Sequence, residues 1–259
     1  MSDITVETNG HVLLIGFNRP RKYNAMTPEM YHDVARAYGR LDADPNLRVG
    51  LVHGVGPHMT AGLQLDAWTD IFSSGGLPKL EKDQIDPFGV EARRCRKPIV
   101  MAVQGYCYTV GVEMMLNTDI RVAATDTRFA MLEVKRGIYP VGGATVRLPR
   151  EIGWANSQRY LLTGDEWTAQ QSLEWGLVTR LAEPGEQFDA AMELAERVAK
   201  AAPLGVEAAL NSSRLTWAEG ERHALDRLFP DLMPIMQSED AAEGVASFLE
   251  RREARFQGR

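Results

Sequence analysis

Short apolar runs alternate with helical periodicities through the first two-thirds of the chain, and that alternation restricts the fold more than any other feature. Residues 11–17, 49–52, 98–103 and 119–124 read as strands. Between the first two, Thr27-Pro28-Glu29 supplies an N-cap, a proline at the first helical position and an acid in the first turn. Met30, Val34, Ala37, Tyr38 and Leu41 then recur at three-to-four spacing, one apolar helical face. Strands separated by helices imply βαβ units and a largely parallel sheet, whose ligands favour the carboxyl ends of strands. The residues just after Val103 occupy such an end.

From residue 186 the pattern turns wholly helical, over 186–201, 204–219, 222–236 and 239–257, punctuated by Pro203, Gly220 and Ser238. No strand signal remains after 179–181. The expected division is therefore an α/β core over 1–185 and a helical region over 186–259. Leu225, Leu228, Phe229, Leu232 and Ile235 cluster at helical spacing, more apolar surface than a free tail needs. Residues 63–92, rich in Gly, Pro and Asp, are expected to form a mobile, partly helical flap over the site.

Composition removes several functional classes. The 259 residues suffice for one large domain or a domain plus an appendage, burying about three-quarters of the unfolded chain's surface. With 29 basic and 35 acidic residues the net charge is −6, so no basic excess attracts nucleic acid or an anionic membrane. Cys95 and Cys107 form neither a disulfide framework nor a metal-ligand spacing. Cys107 has no base near it in sequence and fits a small buried hydrophobe better than a nucleophile. No basic stretch followed by an apolar run opens the chain, and no apolar run approaches a membrane span. A cytoplasmic protein without a metal is expected.

Glu113 and Glu133 are the candidate chemistry. Glu113 lies where residues 104–113 turn from a strand end into a helix; Glu133 precedes the turn-rich Gly137-Ile138-Tyr139-Pro140-Val141-Gly142-Gly143. Two carboxylates in one pocket divide acid and base work when their environments push the pKa values apart. A helix N-terminus beside them offers N–H groups to a developing oxyanion. The bland readings are a first-turn glutamate facing its helix dipole, and a solvated Glu133 paired with Lys135 or Arg136. Taken alone, the two residues leave both open.

Several segments in order resemble the crotonase family, the enoyl-CoA hydratase/isomerase superfamily. Asn18-Arg19-Pro20-Arg21-Lys22-Tyr23-Asn24-Ala25-Met26 is similar to its N-R-P-x-x-x-N-A motif, and Thr60-Ala61-Gly62-Leu63 to its A-G-x loop. Lys97 through Tyr106, and Glu113 through Asp119-Ile120, resemble its central signature. Leu162-Thr163-Gly164-Asp165, Ala169, Gly176-Leu177-Val178 and Ser238 through Gly244 carry the likeness across essentially the whole chain.

The resemblance implies an α/β spiral of βαβ turns with a C-terminal helical trimerisation region, as a homotrimer or a hexamer made of two trimers. It implies an acyl-CoA thioester substrate, with no cofactor beyond the coenzyme A that the substrate carries. The thioester oxygen would be held by the N–H groups of Leu63 and Val110. Glu113 would activate water and Glu133 would protonate Cα, the work of a hydratase. Arg21, Lys22, Tyr23, Ala61 and Gly62 would contact CoA or substrate, and Arg251, with Arg252, would serve a neighbouring subunit's CoA. Three departures stand out: Gln64 replaces an acid, Asp66 stands where relatives carry lysine, and Thr109-Val110-Gly111 replaces a glycine run. The last should narrow the approach to the thioester. A double-bond isomerase using Glu133 alone is the nearest rival, followed by another acyl-CoA lyase or hydrolase. A non-catalytic RNA-binding role is disfavoured by the charge balance.

Overall fold

The computed structural model describes residues 2–259. A hairpin of β1 (Ile4–Asn9) and β2 (Val12–Phe17) leads through a 3-10 turn at Pro20–Lys22 into α1 (Pro28–Ala43) and β3 (Val49–Gly54). There follow α2 (Leu65–Ser73), β4 (Ile99–Val103), β5 (Tyr106–Tyr108), α3 (Val110–Met115), β6 (Ile120–Ala124) and β7 (Arg128–Ala130). Next come α4 (Ala144–Ile152), α5 (Trp154–Thr163), β8 (Glu166–Thr168), α6 (Ala169–Glu174) and β9 (Arg180–Ala182). Four helices close the chain: α7 (Gln187–Lys200), α8 (Pro203–Glu219), α9 (Glu221–Met236) and α10 (Glu239–Glu250).

The main sheet runs in the order β1-β2-β3-β4-β6-β9, antiparallel at β1/β2 and parallel beyond. All five residues of β4 are buried, as suits a strand covered on both faces. Side chains alternate across the sheet. Ile99, Met101 and Val103 join the core built with Met30, Tyr31, Val34 and Tyr38 of α1. Val100 and Ala102 join the opposite cluster, where Ala190, Ala191, Ala195 and Ala199 of α7 pack over Val12, Val49, Leu51 and Val122. Thus α7, which the sequence pattern groups with the C-terminal helices, closes the outer face of the sheet. The α1 start is as expected: the Thr27 hydroxyl accepts from the Met30 N–H at 3.2 Å, with Pro28 next to it.

A second sheet, β5-β7-β8, stands apart from the expected one. Each of its strands has three residues, too few to show a period of two. The expected flap divides into two parts. Its first part is α2. Its second is fastened down, because the buried Asp86 accepts from the N–H groups of Phe88 (2.9 Å), Val90 (2.6 Å) and Glu91 (3.1 Å) and from the Tyr31 hydroxyl (3.1 Å).

The C-terminal helices differ from the core in burial. Among the described residues, α8 buries no side chain fully and α9 only Ala224. Phe229 is 74% exposed and Phe248 82%. The last helix stops at Glu250 rather than 257, since Arg251 takes a left-handed conformation (φ 54) and turns the chain back. Gln257 and Gly258 then donate their N–H groups to Asp240, and Arg48 donates to the Phe256 carbonyl. Among the described residues no helix is long and apolar enough to cross a membrane.

Candidate active site

β4 carries the chain to Gln104-Gly105, β5 adds three residues, and Thr109 turns it into α3. Thr109 holds φ 48 and ψ −111, a conformation seldom adopted outside glycine. Its N–H donates to the Ala130 carbonyl at 2.8 Å, which ties the turn to β7. Val110 opens α3, so its N–H has no carbonyl one turn earlier to bond. It finds no other partner among the described residues. Among the described residues the N–H of Leu63 is left free in another way. The bridge between its segment and Met26 uses the Gly62 carbonyl (2.8 Å) and the Gln64 N–H (2.9 Å), passing over the N–H of Leu63. Leu63 and Val110 line one cavity of about 200 Å³. Two unsatisfied N–H groups beside one cavity can hold an anionic oxygen.

Both glutamates line the same cavity. Glu113, on α3, is 2% exposed, which removes the surface-helix reading. Its Oε1 accepts from the N–H groups of Gly142 (2.7 Å) and Ala144 (3.2 Å). Position 142 must be glycine for this to happen, since a Cβ there would lie 2.6 Å from Glu113 Oε2. Burial pushes the Glu113 carboxyl up to about 7, outweighing the two N–H donors and the nearby Arg147.

Glu133 begins a 3-10 turn, Glu133–Arg136. Burial, together with the charge of Glu113, pushes its carboxyl up to about 7 as well. Its Oε2 is buried without a partner among the described residues, and Lys135 pairs with Asp165 instead (3.8 Å). The solvated reading of Glu133 therefore fails too.

Ala61 also lines the cavity, whereas Gly62, Arg21, Lys22, Tyr23 and Arg251 do not. Arg21 and Lys22 sit in the exposed turn before Tyr23, whose carbonyl accepts from the Ala61 N–H at 2.9 Å. That bond joins the N-R-P segment to the cavity wall. Arg251 caps α10, and Arg252 pairs with Glu243 and Glu250 (2.5 Å each). Cys107 is fully buried and its thiol is pushed well above the usual range, so it is no nucleophile.

Sequence reasoning does not single out Trp68, Phe72 or Phe88, which furnish apolar wall, nor the clamp at Gly142. The Gly142-Gly143 pair is a visible signal for that clamp. The indole N–H of Trp68 donates to the Met26 carbonyl at 2.8 Å, which fixes α2 against the segment leading to the site.

A model of the enoyl-CoA hydratase/isomerase family matches residues 7–259. The chain belongs to that family. It is 35% identical to an enoyl-CoA hydratase of Mycobacterium tuberculosis, over 99% of this chain and 97% of the relative. It is 32% identical to the carnitinyl-CoA dehydratase of Proteus mirabilis, covering 97% of each. Among solved structures, a probable enoyl-CoA hydratase/isomerase from Mycobacterium abscessus superposes with a TM-score of 0.95 at 40% identity, over 99% of this chain and 98% of that one. The enoyl-CoA hydratase/isomerase family likeness thus spans both sheets and the C-terminal helices, and the crotonase fold expected from the motifs is present.

Proposed function

We propose that the chain catalyses the reversible addition of water to a 2-enoyl-CoA thioester. One observation carries the reading: two carboxyl groups held near neutrality share a cavity with two unpartnered backbone N–H groups. The hydratase and dehydratase names of the relatives support it.

In this reading the N–H groups of Leu63 and Val110 hold the thioester oxygen. Each is worth about 3 kcal/mol to the enolate where water is excluded. Two like charges in one buried site cannot both ionise easily, so near neutral pH the pair carries one proton. Ionised Glu113 takes a proton from water as the water oxygen bonds to Cβ. The electron pair of the double bond moves toward the thioester oxygen. Protonated Glu133 then delivers its proton to Cα as the carbonyl re-forms. The proton taken by Glu113 returns to Glu133 within the shared cavity, so the sum is one water added and the enzyme restored. No metal or cofactor is needed.

The CoA moiety runs along the N-R-P segment, with Arg21 and Lys22 meeting its phosphates and Tyr23, Ala61 and Gly62 its pantetheine end. Arg251 reaches a CoA only from a neighbouring copy, in keeping with a homotrimer or hexamer joined through the exposed apolar faces of α8, α9 and α10. A cytoplasmic setting suits such a substrate. The test is a panel of acyl-CoA thioesters. Loss of the conjugated thioester absorbance of crotonyl-CoA, with a mass gain of one water, supports the hydratase. A moved double bond at unchanged mass would replace it with the isomerase, and release of free CoA with a hydrolase.

A further inference from the structure

The wall between Leu63 and Val110 contains a residue with two costs and no evident local benefit. Thr109 is β-branched, yet it holds φ 48 and ψ −111, where a Cβ is crowded. Its hydroxyl oxygen is buried and has no hydrogen-bond partner among the described residues. Strain and an unsatisfied hydroxyl at one site persist only where the surroundings enforce them.

The surroundings show what is enforced. The segment bearing Leu63 and the segment bearing Val110 run together as far as Thr60 and Tyr108. The Thr60 N–H donates to the Tyr106 carbonyl (2.9 Å), and the Tyr108 N–H to the Thr60 carbonyl (3.0 Å). Beyond that point the segments no longer bond each other. The Thr109 side chain stands between them, pressed against Gly62. A Cβ at Gly62 would overlap the Thr109 hydroxyl, and Gly62 itself takes φ +111, open to glycine alone. Thr60 fixes the other side, its Oγ1 donating to the Asn24 carbonyl (2.8 Å) and accepting from the Gly62 N–H (3.1 Å).

We propose that Thr109 is a positioning residue, a spacer whose bulk sets the separation of the Leu63 and Val110 N–H groups. The proposal rests on the reading that these two groups hold the thioester oxygen. The hydroxyl is sealed against Gly62, so the site uses the shape of the side chain rather than its donor. Without the spacer the two segments close toward each other, and the donors leave the geometry that the enolate oxygen requires.

The test compares Thr109→Gly with Thr109→Val in turnover, melting temperature and the infrared carbonyl stretch of a bound saturated acyl-CoA. Glycine relaxes the backbone at this φ, so T109G should fold with no lower melting temperature than the wild type. Its kcat should fall about tenfold or more with KM little changed, the scale on which sub-ångström misplacement acts. The carbonyl stretch should move toward that of the thioester in water. T109V restores the bulk without the hydroxyl and should recover most of the lost rate and the wild-type carbonyl frequency.

A T109G protein with wild-type kcat and carbonyl frequency would overturn the spacer. A T109V protein as impaired as T109G would also overturn it, since the hydroxyl would then be the group in use. If the carbonyl stretch of the bound thioester is unshifted even in the wild-type protein, the oxyanion reading of the site falls, and the spacer with it.

Discussion

Replacing Glu113 with glutamine should raise stability while removing activity, and the size of the gain should depend on pH. The carboxyl is 2% exposed and is raised from 4.5 to about 7, chiefly by burial. A group whose folded pKa lies above its unfolded value binds more protons in the folded state, so stability falls as pH rises between the two values. The loss begins near pH 4.5 and is complete a little above 7. An elevation of this size corresponds to about 3 kcal/mol. The glutamine side chain does not ionise, and its amide oxygen can still accept from the N–H groups of Gly142 and Ala144. In a chain of this length 1 kcal/mol shifts the melting temperature by about 2–4 °C, so E113Q should melt several degrees higher at pH 8. At pH 5 the two proteins should be close, because wild-type Glu113 is then mostly protonated. Denaturant unfolding at both pH values measures this directly. An E113Q gain equal at pH 5 and pH 8 would show that burial does not set the state of this carboxyl. Turnover should drop by about two decades or more in the same protein, the scale of general-base assistance.

Glu133→Gln should abolish hydratase and isomerase activity alike, because each needs proton transfer at Cα; more than about a tenth of wild-type turnover would sink the assignment. Val110→Pro removes an N–H of the proposed oxyanion hole and should cost about two or more decades in kcat, whereas Val110→Gly keeps that N–H and should admit bulkier acyl chains at a stability cost of about 1 kcal/mol. In light scattering the protein should show the mass of a trimer or hexamer, reached through the exposed Phe229 and Phe248 faces; a mass near one chain at micromolar concentration refutes the association.

The parts of the fold legible in the sequence are those whose physical signal is local. β4 is legible because five consecutive apolar residues are buried on both faces, and α1 because its cap, proline and apolar stripe coincide. The second sheet is not legible, because a three-residue strand is defined by its partners rather than by its own pattern. The end of α10 escapes the pattern for a similar reason. Nothing in Arg251-Arg252-Glu253 breaks a helix; what ends it is the return of Gln257 and Gly258 to the buried Asp240 carboxylate. The role of α7 depends equally on a distant partner, since Ala191, Ala195 and Ala199, one turn apart, declare a close-packed face but not the sheet beneath it.

The site is legible in its carboxyl groups and silent in its backbone. Glu113 and Glu133 stand out as residue types, although taken alone they also fit structural roles, whereas an N–H donor belongs to every residue except proline and leaves no mark at Leu63 or Val110 apart from the family resemblance. What the sequence does carry is a paired signal. A Cβ at Gly142 would meet the Glu113 carboxyl, and at Gly62 both the φ of +111 and the Thr109 side chain exclude one. In both cases the missing Cβ of one residue is the space filled by the side chain of another, far away along the chain. A glycine in such a site records the bulk of its neighbour. The Thr109-Val110 departure from the usual glycine run is therefore better understood together with Gly62 than alone. The bulk of Thr109 on one wall meets the missing side chain of Gly62 on the other, and in the spacer proposal the gap between the Leu63 and Val110 N–H groups is the quantity that this pair sets.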